Sequence, residues 1–181
     1  MYIYYISKPN NIDVNKIYDE NELSEYIVIN ENDIKEDMYN QLLPFCHKIK
    51  AIRYYYNLKK ISEDYNISNP QTYMYSGGFV GMHSQDDDKR IKLSYQEIEE
   101  KYTISKEEIV YITNEEEVEY WGKEYDIQEW FYDHLNERVE NTGYYRLSNE
   151  LINEFNKDYP DDFIEPLDEN DNGALFYWEW Y

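Results

Sequence analysis

Ala174-Leu175-Phe176-Tyr177-Trp178-Glu179-Trp180-Tyr181 ends the sequence in residues that favour extended backbone, and Tyr2-Ile3-Tyr4-Tyr5-Ile6 opens it in the same way. Helical patterns lie between these two strand-like ends. The clearest covers 126–141, with Asp126 as N-cap, Glu129 three residues on and Gly143 as the stop; a second covers 148–158, starting at Ser148 and carrying Leu151, Ile152 and Phe155 on one stripe. Strands at both ends with helices between them predict an α+β fold of one domain, 1–181, with a small, mostly antiparallel sheet.

The remaining elements are read outward from that frame. Tyr26-Ile27-Val28-Ile29 reads as a strand, and the Asp33/Glu36 spacing predicts a helix near 34–43 that Pro44 ends. Ala51, Tyr54, Leu58 and Ile61 fall on one helical stripe and predict a helix over 51–63. Thr72 to Met82 reads as strand interrupted by Gly77-Gly78, paired with Arg90–Leu93 across the Ser84–Asp88 loop. Ser94 with Glu97, and Thr113 with Glu116, have capping-box spacing and predict short helices from 95 and from 114, with Ile109-Val110-Tyr111-Ile112 as a strand between them.

Charge is the largest compositional signal. The 181 residues hold 39 acids against 17 bases, net −22, and 23 tyrosines. Residues 1–105 carry 17 acids and 12 bases, whereas 106–181 carry 22 acids and five bases, so the second segment holds most of the field. Such a chain does not bind nucleic acid directly, because that needs cations to displace phosphate counterions. One cysteine, Cys46, forms no internal disulfide, and no apolar run reaches the roughly 18 residues of a membrane span, so a reducing cytoplasmic setting is expected. The richness in Asn, Ile, Lys, Tyr and Glu matches an AT-rich genome, such as that of a low-GC bacterium or its phage.

At 100° per residue, Ile127, Trp130, Phe131, His134, Leu135 and Arg138 share the inner face of the 126–141 helix. Asp126, Glu129, Asp133, Glu137 and Glu140 form an outer row, with neighbours about 5 Å apart over roughly 21 Å. Glu115, Glu116, Glu117 and Glu119 precede it, and Asp158, Asp161, Asp162, Glu165, Asp168, Glu169 and Asp171 follow. Tyr120, Trp121 and Tyr132 lie among these acids, and such rings anchor interfaces and stack on arginine. A polyanionic row with aromatic anchors is expected to occupy a basic protein surface, such as the nucleic-acid channel of a defence nuclease. In size, charge and aromatic content the chain is similar, at the level of class only, to small acidic anti-defence proteins of the anti-restriction and anti-CRISPR kind. An immunity protein that neutralises a basic toxin would use the same physics. The basic island Lys48, Lys50, Arg53, Lys59 and Lys60 would let the acidic half of a second copy dock and form a homodimer.

Metal chemistry is the other reading. Asp168-Glu169-Asn170-Asp171-Asn172-Gly173 to Glu179 matches an EF-hand calcium loop, with Asp168, Asn170, Asn172 and Glu179 as ligands. Pro166 opposes an entering helix there, and Asn172-Gly173 reads equally as a tight turn before the last strand. His83 beside Asp86, Asp87 and Asp88 is a weaker metal candidate, and Cys46-His47 are neighbours whose side chains diverge. Gly77-Gly78-Phe79-Val80-Gly81 lacks a phosphate-loop lysine. No acid–base pair stands out, so a binding protein is expected rather than an enzyme.

Overall fold

The computed structural model describes residues 1–35, 37–135 and 139–180. In chain order the strands and helices are β1 (Tyr2–Ser7), β2 (Ile17–Asp19), β3 (Ile27–Asn30), α1 (Asp37–Asn40), β4 (His47–Tyr56), α2 (Leu58–Tyr65), β5 (Pro70–Ser76), β6 (Phe79–Ser84), β7 (Arg90–Ser94), α3 (Tyr95–Glu97, continued by a wider turn to Tyr102), β8 (Thr103–Tyr120), α4 (Tyr125–His134), β9 (Tyr144–Leu147), α5 (Asn149–Asp158) and β10 (Gly173–Trp178). The fold is α+β. The chain forms two compact units, one of residues 1–51 and 108–181, the other of residues 52–107.

The sheet of the first unit has the order β2-β4-β8-β1-β10-β9, with β3 also on β8. β1 runs antiparallel to both β10 and β8, so residues near the two ends of the sequence pair directly. β8 is 18 residues long because it serves several partners, taking β3 along 110–113 and β1 along 114–120. Successive side chains of β1 point to opposite faces. Ile3 enters a core with Trp121, Phe131, Phe155, Leu175 and Tyr177 beneath α4 and α5, while Ile6 enters a second with Leu42, Phe45 and Phe176. The first core is aromatic: Phe131 stacks on Phe155 at 5.2 Å and on Tyr177 at 4.4 Å.

In the second unit β5, β6 and β7 form an antiparallel meander. Gly77 and Gly78, at φ 56° and 78°, make the two-residue turn between β5 and β6. Val80, Met82 and Leu93 face a core with Ile61, Ile67, Ile98 and Tyr102. Ser94 accepts from the Glu97 amide at 3.1 Å and so caps α3 as expected, but the box is half formed, since the Glu97 carboxylate accepts from the Tyr65 hydroxyl.

The second expected capping box does not form. No helix starts at 114; Thr113 is a buried strand residue whose hydroxyl donates to the Phe45 carbonyl at 2.7 Å and the Ser7 carbonyl at 3.0 Å. The expected 51–63 helix is also corrected: 47–56 is strand, in which Ile49 and Ala51 are buried between exposed lysines, and helix begins only after Asn57, whose side chain accepts from the Lys60 amide. The basic island is therefore divided between β4 and α2, and Lys48 pairs with Glu31 at 3.3 Å. In place of one 34–43 helix the described residues form a turn at Asp33–Lys35, α1 and a turn at Leu43–Phe45, while Glu36, the expected partner of Asp33, lies outside the described residues. Among the described residues no helix is long and apolar enough to cross a membrane.

Thr113 offers a direct check. Replacing its buried hydroxyl (Thr113→Val) removes the one hydrogen that the Phe45 and Ser7 carbonyls share and is expected to cost about 1–3 kcal/mol in urea unfolding.

Candidate functional site

The net charge sits almost wholly in one unit. Residues 1–51 and 108–181 hold 30 acids and nine bases, while residues 52–107 hold nine acids and eight bases. Because Glu115 to Glu119 lie on a strand, they alternate between sheet faces instead of sharing one. In register with β1, Glu115 lies opposite Ile6, Glu116 opposite Tyr5, Glu117 opposite Tyr4, Glu119 opposite Ile3 and Tyr120 opposite Tyr2, with a bulge between the Ile3 and Tyr4 pairings. Glu115, Glu117 and Tyr120 thus project with Tyr2 and Tyr4, and Glu116 and Glu119 with Ile3 and Tyr5.

The Tyr4 face is a platform of rings bordered by carboxylates. Tyr2 stacks on Tyr4 at 5.4 Å and 7°, and lies 4.7 Å from Tyr120 and 5.4 Å from Trp178, which in turn neighbours Tyr4 at 6.0 Å and Tyr144 at 6.4 Å. Tyr120 is 53% exposed at its margin. Tyr144 donates to Glu115 at 2.8 Å. Burial, helped by Glu115, Tyr2 and Glu117, pushes the Tyr4 hydroxyl up to about 12, and burial followed by Glu115 raises Tyr144 as well. Withdrawal from water raises the Glu115 carboxyl above its ordinary value despite the bond from Tyr144.

A second acidic surface lies over α4 and α5. Asp126, Glu129 and Asp133 are exposed on α4 as the helical spacing predicts, but the helix ends at His134. The row therefore extends about 10 Å, half the expected length. Glu140 is exposed but not helical, and Glu137 lies outside the described residues. Asp126 is not the cap, since α4 begins at Tyr125 after Glu124, and Gly143 is not a helix stop but leaves space for the Tyr145 ring. Asp158 accepts from the Trp130 indole at 2.8 Å and Asp162 from the Trp121 indole at 2.9 Å. Asp161 is exposed beside Asp162 in a single turn of 160–162. Burial first, then Asp126, Asp158, Asp162 and Glu129, raise the Tyr159 hydroxyl. The carboxylates expected to face a partner thus occupy two surfaces, not one, and none of them pairs with a lysine or arginine among the described residues.

A feature the sequence reading missed links the abundance of tyrosine to the shortage of bases. Tyrosine hydroxyls donate to carboxylates at Tyr5–Asp171, Tyr65–Glu97, Tyr102–Asp64, Tyr132–Glu179, Tyr144–Glu115 and Tyr177–Glu179. These bonds have an ionised acceptor and are stronger than neutral ones. Tyr132, read as a partner anchor, is 40% exposed but spends its hydroxyl on Glu179 at 2.6 Å.

That assignment also corrects the calcium loop. Glu179 is buried and accepts from Tyr132, Tyr177 and Gln128, at the far end of β10 from Asn172. Six extended residues separate the two by about 20 Å, so Asp168, Asn170, Asn172 and Glu179 do not converge. The turn falls at Asp168–Asp171, closed by the Asp171 amide on the Asp168 carbonyl at 3.0 Å. Gly173 is not at positive φ; it is glycine because a Cβ would strike the Tyr5 ring that reaches Asp171. Asp86 and Asp87 bond to Asn69 and the Lys89 amide, and the His83 ring lies against Tyr73. Among the described residues no three His, Cys, Asp or Glu side chains converge as a metal site. Cys46 is buried and donates to the Leu42 carbonyl, which leaves its thiol, pushed up to about 12 by burial, without nucleophilic character. His134 stacks on Trp130 at 3.9 Å, as its place on the apolar face implies.

No family model, no curated protein and no solved structure matches this chain.

The tyrosine–carboxylate bonds set a pH dependence. Tyr5, bonded to Asp171, is raised to about 12, so the stability it contributes is complete below the unfolded value of about 10 and is lost as pH rises through about 12. Tyrosinate absorbance should therefore rise in two phases, the later one coinciding with collapse of the near-ultraviolet circular dichroism. A single phase near 10 with the fold intact would contradict these bonds.

Proposed function

We propose that this protein is a polyanion mimic that binds and blocks a nucleic-acid-binding enzyme, of the anti-defence kind used by phages and mobile elements against restriction or CRISPR effectors. The observation that carries this reading is the confinement of 30 acids against nine bases to one unit, with the named carboxylates of β8, α4 and the 158–162 turn unneutralised by lysine or arginine among the described residues. So much like charge on one small body opposes its own folding, a cost that solubility alone does not require.

The mechanism is competitive. Asp126, Glu129, Asp133, Asp161 and Asp162 stand where phosphates would stand in a cationic channel, and their field speeds association. On the other sheet face, Glu115 and Glu117 beside Tyr2, Tyr4 and Tyr120 suit arginine, whose planar head pairs with carboxylate and stacks on rings. Two acidic surfaces allow the protein to fill a cleft with walls on both sides instead of covering a flat patch.

The test is capture of the partner by immobilised protein at low and high salt, with competition by DNA or RNA. The captured enzyme is expected to bind nucleic acid, to be released by excess nucleic acid, and to lose affinity steeply with salt. Reversing Asp126, Glu129 and Asp133 to lysine is expected to weaken capture at least tenfold, about 1.4 kcal/mol. A partner that holds this protein and nucleic acid together, or one indifferent to charge reversal, would refute the proposal.

A further inference from the structure

Residues 65–85 contain no Asp, Glu, Lys or Arg, a run of 21 in a chain that is 31% charged; the next longest such run, 38–47, has ten. This stretch forms β5, an outer strand of the three-stranded sheet, and β6, its middle strand. β5 is an outer strand of seven residues, paired on one side with β6. Edge strands of soluble proteins are normally guarded by charges, above all lysine, because their outward backbone groups can pair with another chain. β5 has none. It begins with Pro70 and carries one bulge, between Thr72 and Met74, as its only edge-blunting features.

The side chains of this edge are apolar and exposed. Tyr73 is 45%, Met74 37% and Tyr75 60% accessible, with Phe79 just past the turn at 40%. Arg90 lies over the Tyr73 ring at 5.6 Å and Lys92 over Phe79 at 4.5 Å, so two of these rings are partly covered by cations of their own unit. Met74 and Tyr75 have no cation over them; the Tyr75 hydroxyl bonds with that of Tyr56, while most of its side chain stays exposed beside the outer strand.

We propose that β5 is a self-association edge, at which a second copy of this chain pairs its own β5 antiparallel about a two-fold axis. Charge selects this occupant. The unit that carries β5 holds nine acids and eight bases, so two copies can meet there without the repulsion that the 30-to-nine imbalance of the other unit imposes on any contact through it. An identical strand is also self-complementary: antiparallel pairing of β5 with itself sets its exposed tyrosines and methionine against their own kind, and the two-fold contact uses both copies' β5, leaving as outer strands only β7, which carries Arg90 and Lys92.

β5 shares no residue with the acidic surfaces assigned to a basic partner, and salt tells the two contacts apart. Light scattering across a concentration series is expected to show a monomer–dimer equilibrium that high salt leaves intact or strengthens. Met74→Lys, which puts a guarding charge on the edge, is expected to raise the dimer dissociation constant at least tenfold with an unchanged urea midpoint. Single Met74→Cys and Tyr75→Cys variants cover the case in which the lysine disturbs folding, since Cys46 is buried and does not compete. Positions near the axis come within about 5.5 Å across it and should form an intermolecular disulfide under mild oxidation. A monomer at every concentration, a dimer that Met74→Lys leaves unchanged or that salt dissolves, or the absence of any such disulfide would overturn the proposal.

Discussion

Everything in the acidic unit hangs on the antiparallel placement of β1 between β8 and β10. Six residues from one end of the sequence are hydrogen-bonded on both sides by segments more than 100 positions away. The terminal amine of Met1 adds a bond to the Trp121 carbonyl at 3.0 Å. The strand alternation then sends Ile3 to one core and Ile6 to the other, and sets Tyr4 beside Glu117 and Tyr5 beside Glu116. Both the aromatic platform and the helix-covered core are consequences of this register, because a one-residue slip would exchange the two faces.

The second constraint is electrostatic. A unit with 30 acids and nine bases cannot satisfy its carboxylates with cations, and it uses tyrosine and tryptophan instead. Trp121 and Trp130 are buried in the helix-side core while their indole nitrogens reach Asp162 and Asp158 at its rim, so one side chain both fills the interior and serves an anion. Tyr5, lying over Gly173, does the same for Asp171. The abundance of rings, read from sequence as anchors for a partner, is in large part this internal chemistry. Tyr2, Tyr4 and Tyr120 make none of the tyrosine–carboxylate bonds named above.

Legibility from sequence followed the range of the forces involved. β1, β10, the β5–β6–β7 meander and α5 are set by local periodicity and caps and were readable, as were Ile127, Trp130, Phe131 and His134 on the inner face of α4; Leu135 follows the end of that helix and Arg138 lies outside the described residues. The same Ser/Thr-x-x-Glu spacing marked 94–97 correctly and 113–116 wrongly. The difference is that Thr113 continues the β-branched run Ile109 to Ile112 and is claimed by carbonyls of Ser7 and Phe45, 106 and 68 residues away. The helical stripe of Ala51, Tyr54, Leu58 and Ile61 failed for a related reason: Ile49 and Ala51 alternate with lysines, and that period of two prevails up to Asn57. The division of Glu115, Glu116, Glu117 and Glu119 between two faces could not be read without the β1 register, nor the burial of Glu179 without the positions of Tyr132 and Gln128.

An uncompensated acidic surface, held folded by apolar and aromatic packing, is the central claim, and salt acts on it directly. Urea unfolding at pH 7 in rising sodium chloride reports the sign of the net charge interaction in the folded protein. The account predicts a midpoint that climbs as self-repulsion is screened. A midpoint that falls would mean that the carboxylates are bound up in attractive pairs within the protein, leaving no free polyanionic surface to present.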